Sequence, residues 1–265
     1  FYTAYLKYLN NIIETIVLCA NDFEQYLHLI NPAQLYSITI ENSLKTARDA
    51  FSDGNVYNNT SILCAGLGTA VDALMAVREF VFRKRELTLA GFRDILLRNW
   101  EGHEKLRLRI LRSRKRYGNG DAGADRYAAA LGHFLGAKLN LRPNARGGFY
   151  EASGHSARTF IRLGEKTGAT PDGRRAGEEM SKNISPAMGA DVNGVTALIH
   201  SATAIDSSDL PGDFPLDVMM HPATVQGEEG LAAMRALLHT YMDRHGIAIH
   251  FNIFDAAVLE DAQRN

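Results

Sequence analysis

The side chains best equipped for chemistry are the histidines, and their densest group is His239, His245 and His250, with Asp243 among them. No H-E-x-x-H pattern joins them, and the step from His245 to His250 crosses from a predicted helix end into a predicted strand. Hydrogen-bonded structural histidines fit that spacing better than a metal site. Cys19 and Cys64 are the only thiols. Without C-x-x-C spacing they suggest neither a disulfide framework nor a zinc site, and they suit a reducing, cytoplasmic setting. Cys64 lies in SILCAGLG among apolar and small residues, which favours a buried small side chain over a nucleophile. No G-x-S-x-G elbow supports a Ser/His/Asp triad, and neither Arg146-Gly147-Gly148 nor Gly227-Glu228-Glu229-Gly230 makes a nucleotide-binding G-x-G-x-x-G. Two basic features remain. Lys105 to Arg116, KLRLRILRSRKR, reads either as a phosphate-binding surface or as a solvated helix face with Leu106, Ile110 and Leu111 turned inward; the lack of interleaved aromatics favours the face. Thr170-Pro171-Asp172-Gly173 is a tight turn that presents Arg174 and Arg175 together.

The elements that must position these side chains come in two styles. Tyr2, Tyr5, Leu9, Ile12, Ile13 and Ile16 recur at helical spacing over Tyr2 to Val17. Asn31-Pro32 is a helix start signal, so a helix is expected from there to about Phe51, before Asp53-Gly54. Further helices are expected over Gly66 to Phe82, from a Thr88 cap through Arg98, and over Ala124 to Asn140 after the turn-rich YGNGDAG. From Pro143 onward glycines and short apolar runs replace long helices, which places a soft boundary at 142–148. Val195 to Ile205, β-branched and almost uncharged, is expected as a strand buried on both faces. Leu216 to Met220 and Ile247 to Asp255 are two more strands. Between them, Gly227 to Arg244 puts Leu231, Met234, Leu238 and Tyr241 on one helical stripe, and strand, helix, strand predicts a parallel crossover. The fold class is α/β: a helix-rich part over 1–141, then parallel α/β units over 142–265. Ligands in such units sit beyond the carboxyl ends of strands, which selects His221-Pro222-Ala223 and Asp255. The favoured alternative for His221 is a loop residue that caps the following helix.

Bulk properties narrow the class of function. The 265 residues can bury a sizeable core, and hydrophobic and charged fractions of 46% and 22% are those of an ordinary soluble protein. A net charge of −1 argues against a dedicated nucleic-acid binder. No run of eighteen apolar residues suggests a membrane span, and FYTAYLKYLNNIIETIVLC lacks the basic leader of a secretory signal.

The most informative stretch is Thr170 to Asn193, TPDGRRAGEEMSKNISPAMGADVN. It is followed by GVTALIHSATAID, HPATVQGEEGL and FNIFDAAVLEDAQRN, and preceded by YNNTSILCAGLGTAVDAL, NWEGHEKLR and RPNARGG. Blocks in this order and spacing resemble the glycyl radical enzymes, the pyruvate formate-lyase-like family, over nearly the whole chain. The resemblance implies half of a ten-stranded barrel and an anaerobic lyase or dehydratase that cleaves a C–C or C–heteroatom bond of a small polar metabolite through a thiyl radical. HPATVQGEEG and DVNGVTALIHS look closer to the diol-dehydratase-like branches than to pyruvate formate-lyase itself.

Family members carry their radical on a glycine in a motif like R-V-x-G-Y and pass it to a cysteine in one like G-C-V-x-P. Neither motif occurs here. The chain is therefore expected to be a segment of a larger enzyme, without turnover alone and with no catalytic residue of its own. The resemblance further implies no cofactor or metal bound by this segment, a glycyl radical in the intact enzyme installed by a separate radical S-adenosylmethionine activase, no nucleic-acid or membrane partner, and room for a homodimer. Counting from Arg146-Gly147-Gly148 and back from Thr170 places His155-Ser156 where relatives often carry Tyr-Ser facing substrate. His155, Ser156, His221, Pro222 and Ala223 are thus the candidate substrate-binding residues, with His155 expected beside the His221 loop. The alternatives are a surface histidine in the Gly154-His155-Ser156 turn and, for the whole chain, a non-catalytic binding or assembly module derived from the fold.

Overall fold

A computed structural model describes residues 1–264 of the chain. The first helix, α1 (Tyr2–Glu24), runs seven residues beyond the expected periodic stretch, burying Ile13 and Val17. The expected helix from Asn31-Pro32 to Phe51 is replaced by three short turns of helix, α2 (Leu27–Ile30), α3 (Gln34–Ser37) and α4 (Glu41–Thr46). Side chains here capture the backbone: Asp49 accepts from the N–H groups of Ala33 (2.8 Å) and Phe51 (2.7 Å), and the Ser37 hydroxyl accepts from the Ala50 N–H. Such local bonds compete with a continuous helix, as does the β-branched Ile38-Thr39-Ile40 between α3 and α4.

Strand β1 (Thr60–Leu63) leads into α5 (Leu67–Val77), which continues as a π-helical segment, Arg78–Arg83. Gly68 lets the start of α5 approach the 181–186 segment: a Cβ there would lie 2.8 Å from the Ser185 carbonyl oxygen. Reciprocal bonds, Thr69 N–H to Ser181 Oγ (3.0 Å) and Ser181 N–H to Thr69 Oγ1 (2.8 Å), hold that approach. Helix α6 (Leu89–Leu97) starts at the expected Thr88 cap, whose hydroxyl accepts from the Gly91 N–H. The basic stretch forms α7 (Glu104–Leu111), with Ile110 buried. Asp121 caps the long α8 (Ala122–Leu139) through the Gly123 and Ala124 N–H groups.

Strand β2 (Tyr150–Ser153) pairs in parallel with β1, so the first sheet joins segments on either side of the boundary expected at 142–148. The RPNARGG block fastens that junction. Asn144 donates to Thr60 Oγ1 (2.8 Å), Arg146 lies 3.4 Å from Glu24, and Glu24 accepts from the Thr60 hydroxyl. After α9 (Thr159–Glu165), the expected strand at Val195 to Ile205 is a helix, α10 (Val195–Ala202). Its buried Leu198, Ile199 and Ala202, with half-buried Val195, follow helical spacing, and they pack between α8 and the next helix. Apolar period outweighed β-branched composition.

The second sheet holds β3 (Pro215–Met220) and β4 (Ala248–Ile253), parallel and connected by α11 (Gly227–Asp243) as the crossover reading requires. The inward line of α11 is Gly230, Leu237 and Tyr241, while Leu231 is exposed, so the expected stripe is rotated on the helix. Helix α12 (Ala256–Arg264) follows, its first turn capped by Asp255 through the Ala257 N–H (2.9 Å). The main core joins α1, α5, α8, β2, α10, β3 and α11. Among the described residues no helix is long and apolar enough to cross a membrane.

Two of the buried ionisable side chains, Arg174 and Asp72, pin this architecture. Arg174 is 6% exposed, and its guanidinium donates to the carbonyls of Thr167, Gly168, Gly164 and Glu178 and to Thr170 Oγ1. Its own carbonyl accepts from the Trp100 indole (3.1 Å), and the Gly173 carbonyl accepts from Arg107 Nε (2.6 Å). The expected tight turn is present, closed by Gly173 N–H to Thr170 carbonyl. Arg175 is exposed and its side chain makes no hydrogen bond among the described residues. Arg174→Ala should therefore cost about 1.5–3 kcal/mol in urea unfolding of the intact polypeptide, whereas Arg175→Ala should stay within about 0.5 kcal/mol.

The second buried charge is Asp72, which accepts from Arg116 Nε (2.7 Å) and the Tyr117 N–H (2.8 Å). Burial pushes its carboxyl up to about 6 from the ordinary 3.8, against the pull of Arg116 and Tyr117. A raised folded value means the folded state holds this proton more tightly than the unfolded chain. The contribution is full below about pH 3.8 and lost as pH rises through about 6. Unfolding measured on either side of that value should show the wild type losing ground against Asp72→Asn on the alkaline side. Asp72→Ala, which strands a buried guanidinium, should cost about 3–5 kcal/mol.

Candidate functional site

Beyond the carboxyl end of β2 the chain reads Ser153-Gly154-His155-Ser156, and it meets the segment that enters β3. Gly154 donates to the Asp213 carbonyl (2.8 Å), as does the Ser153 hydroxyl (3.0 Å). A Cβ at Gly154 would lie 2.6 Å from Ile184 and 2.9 Å from Phe214, so only glycine passes this crossing without displacing its neighbours. His155 emerges from it with its side chain 40% exposed and Nδ1 3.8 Å from the Asp213 carboxylate.

Ser156 is fully buried, and its partner is Asn183, buried to the same degree. Asn183 Oδ1 accepts from the Ser156 N–H (2.8 Å) and hydroxyl (3.1 Å), while Ser156 Oγ accepts from the Asn183 N–H (2.8 Å). The same carboxamide donates through Nδ2 to Asp217 Oδ2 (2.6 Å).

Asp217 lies in β3 between Leu216 and Val218, which are buried in the core together with Leu237 and Tyr241 of α11. Alternation along a strand turns Asp217 to the other face of the sheet. Its cross-strand partner there is His250. Asp217 accepts from Lys182 Nζ (2.6 Å), His250 Nδ1 lies 3.4 Å from the same carboxylate oxygen, and Ser185 donates to the other at 3.4 Å. The carboxylate is 12% exposed and His250 50%, so a shielded anion holds an accessible ammonium and an accessible imidazole. Together with His155 they offer donors and acceptors able to orient a hydroxyl or an anionic group of a small molecule.

The sequence-selected residues separate into two places. His155 and Ser156 sit at the start of β3, whereas His221, Pro222 and Ala223 follow its far end. Five residue steps of roughly 3.3 Å put about 16 Å of strand between them. The expected pairing of His155 with the His221 loop is therefore not formed. His221 caps a turn of 3₁₀ helix, accepting from the Ala223 N–H at Nδ1 (3.2 Å). His239 and His245 are exposed on and just after α11, and among the described residues no three His, Cys, Asp or Glu side chains converge as a metal site. Cys64, whose N–H donates to the Ser153 carbonyl (2.8 Å), is held as a thiol by burial, which pushes it up to about 11.

Sequence reading missed Asp217, Lys182, Asn183 and Ser185. The available signal was a lone carboxylate inside the apolar run PLDVMM, since burying a charge in a strand demands partners.

The family profile described as pyruvate formate lyase-like matches residues 1–164, and the one described as glycine radical matches residues 180–265. The trans-4-hydroxy-L-proline dehydratase of Clostridioides difficile is 33% identical over 234 residues, 88% of this chain and 30% of that protein. The (2S)-3-sulfopropanediol dehydratase of Klebsiella oxytoca is 27% identical over 89% of this chain and 29% of its own length. Among solved structures, the hydroxyproline dehydratase of C. difficile with its substrate bound superposes with a TM-score of 0.91 at 31% identity, over 100% of this chain and 33% of that one. A Roseburia inulinivorans structure of 1,2-propanediol dehydration gives 0.92 at 28% identity, over 99% and 34%. The chain spans about a third of the length of these relatives. With matching profiles over both of its parts and the same fold throughout, the chain belongs to the pyruvate formate lyase-like family, the glycyl radical enzymes.

Proposed function

We propose that these residues form part of the substrate-binding wall of a glycyl radical dehydratase or lyase acting in the cytoplasm on a small, hydroxylated metabolite. The observation that carries this reading is the bonded path Ser156, Asn183, Asp217, Lys182 and His250 on the sheet face away from α11, with His155 next to Ser156 in the chain. The relatives' names support the reaction class, since they include dehydratases of hydroxyproline and of sulfopropanediol and a sulfite-lyase of isethionate. In this reading a glycyl radical, introduced by a radical S-adenosylmethionine activase, would be passed to a cysteine whose thiyl radical supplies hydrogen abstraction from substrate carbon. The residues here bind and orient. His155 accepts or donates a hydrogen bond to a substrate hydroxyl, a role open to imidazole in both directions and to tyrosine mainly as donor. Lys182 and His250 hold a second polar group of the substrate, fixed in place by the carboxylate behind them. Ser156 and Asn183 set the distance between the two stations. The His221-Pro222-Ala223 turn has no part in it.

The test is anaerobic activation of the intact polypeptide, followed by turnover assays with trans-4-hydroxy-L-proline, 1,2-propanediol, glycerol and isethionate. A glycyl doublet in the electron paramagnetic resonance spectrum and turnover of at least one compound are expected. His155→Phe should keep the doublet and lower kcat/KM at least about ten-fold, the loss of one well-made polar contact to substrate. Lys182→Met should act chiefly on KM. Absence of any doublet would remove the enzymatic reading and leave a binding module; full activity in both variants would remove the site.

A further inference from the structure

A cavity of about 570 Å³ lies between α5, its π-helical continuation and the turn after α7, remote in sequence from the sheet site. Six cations, Lys84, Arg109, Arg112, Arg114, Lys115 and Arg116, face two carboxylates, Asp72 and Glu79. Some of these cations are already held. Arg116 belongs to Asp72 (2.7 Å), and Lys84 lies 3.2 Å from Glu79. Arg109 binds Glu86 through both terminal nitrogens at 3.0 Å. Lys84 and Arg109 also lie 4.9 and 5.2 Å from the centre of the buried Phe80 ring, which fixes both side chains at the cavity wall. Arg112 and Arg114 are exposed, and their guanidinium groups make no hydrogen bond or ion pair among the described residues. The field is visible on Glu79. Burial acts to raise its carboxyl, yet the hydrogen bond and charge of Lys84, with Arg83 and Lys115, hold it below the usual range.

We propose that this cavity binds a phosphorylated small molecule, its phosphate taken by Arg112, Arg114 and Lys115 and its body resting on Met75, Ala76 and Ile110. Planar guanidinium forks match phosphate oxygens, and unpartnered cations in a concave wall concentrate an anion there. The volume suits a mononucleotide-sized ligand rather than a polymer. A nucleic acid is disfavoured by the chain's net charge of −1. The π-helical segment Arg78–Arg83 is the local device. Its wider turn, closed by Lys84 N–H to the Glu79 carbonyl (2.8 Å), brings Glu79, Phe80 and Lys84 to one wall, and such segments recur at functional sites.

Calorimetric titration of the intact polypeptide with inorganic pyrophosphate and with ADP tests this. Saturable 1:1 binding is expected, weakening as salt rises and weakened at least about ten-fold by Arg112→Ala combined with Arg114→Ala. Both positions are exposed, and circular dichroism should show the fold retained; Lys115→Ala alone should weaken binding less. Tighter binding of ADP than of pyrophosphate would assign part of the site to the apolar floor, and equal binding would confine it to the phosphate. No saturable binding of either compound, binding unchanged in the double variant, or tighter binding of a single-stranded oligonucleotide would overturn the proposal.

Discussion

The carboxamide of Asn183 is the constraint on which the sheet site depends. It has no exposed surface, and its backbone sits at a φ of 50°, a region that asparagine tolerates better than most residues. One end of the amide accepts from Ser156 and the other donates to Asp217, so a single rigid group sets the distance from the end of β2 to the middle of β3. An amide carries donors and acceptor on opposite sides, and here each side meets its complement. An ionised aspartate, acceptor only, could not serve both partners from that position. Its neighbours Lys182 and Ser185 reach the same carboxylate, which makes 182–185 a clasp across the two sheets.

The same logic explains why the sequence blocks that carry the family resemblance are these blocks and not others. They are largely the segments that bond to one another across long stretches of chain. NWEGHEKLR and TPDGRR meet through Trp100 and Arg107 on the backbone of Gly173 and Arg174. GLGT and MSKN meet through Thr69 and Ser181. YNNTS and RPNARGG meet through Thr60, Asn144 and Arg146. A short polar motif that recurs in fixed order is what a set of buried, directional contacts leaves in a sequence, because each loses its partner when either residue changes.

Legibility followed the range of the interaction. Elements set by local chemistry were readable: Thr88 caps as its position suggests, and the strand, helix, strand unit from β3 to β4 formed with its parallel pairing, whereas Asp255, read as a ligand position at a strand end, caps α12. Elements decided by tertiary packing were not. Val195 to Ile205 has the composition of a strand, but a slot between α8 and α11 accepts its Leu198, Ile199 and Ala202 at helical spacing. Asn31-Pro32 carries a start signal that Asp49, sixteen residues past Ala33, overrides with side-chain bonds. The site divides in the same way. His155 and Ser156 were selected by register against a known pattern, and the structure puts them beside the segment that enters β3. The pairing of His155 with His221 failed because counting residues gives no direction along β3, and Asp217 went unnoticed because its partners come from 182–185 and from β4.

Net charge is equally a sum that hides its parts. With 30 acidic and 29 basic residues the chain is almost neutral, which argues against a long polyanion as partner. Neutrality over the whole surface sets no limit on a concave patch, because screening confines the influence of a distant carboxylate to about 8–10 Å at ordinary ionic strength. The wall beside the π-helical segment carries six cations against Asp72, Glu79 and, on Arg109, Glu86, whereas the face of β3 and β4 opposite α11 carries one carboxylate holding an ammonium and an imidazole. The first arrangement leaves guanidinium groups without partners and so presents a field. The second satisfies its carboxylate and so presents geometry. An excess of unpaired charge selects a ligand by its charge, and a paired set held at fixed distances selects it by where its polar atoms lie.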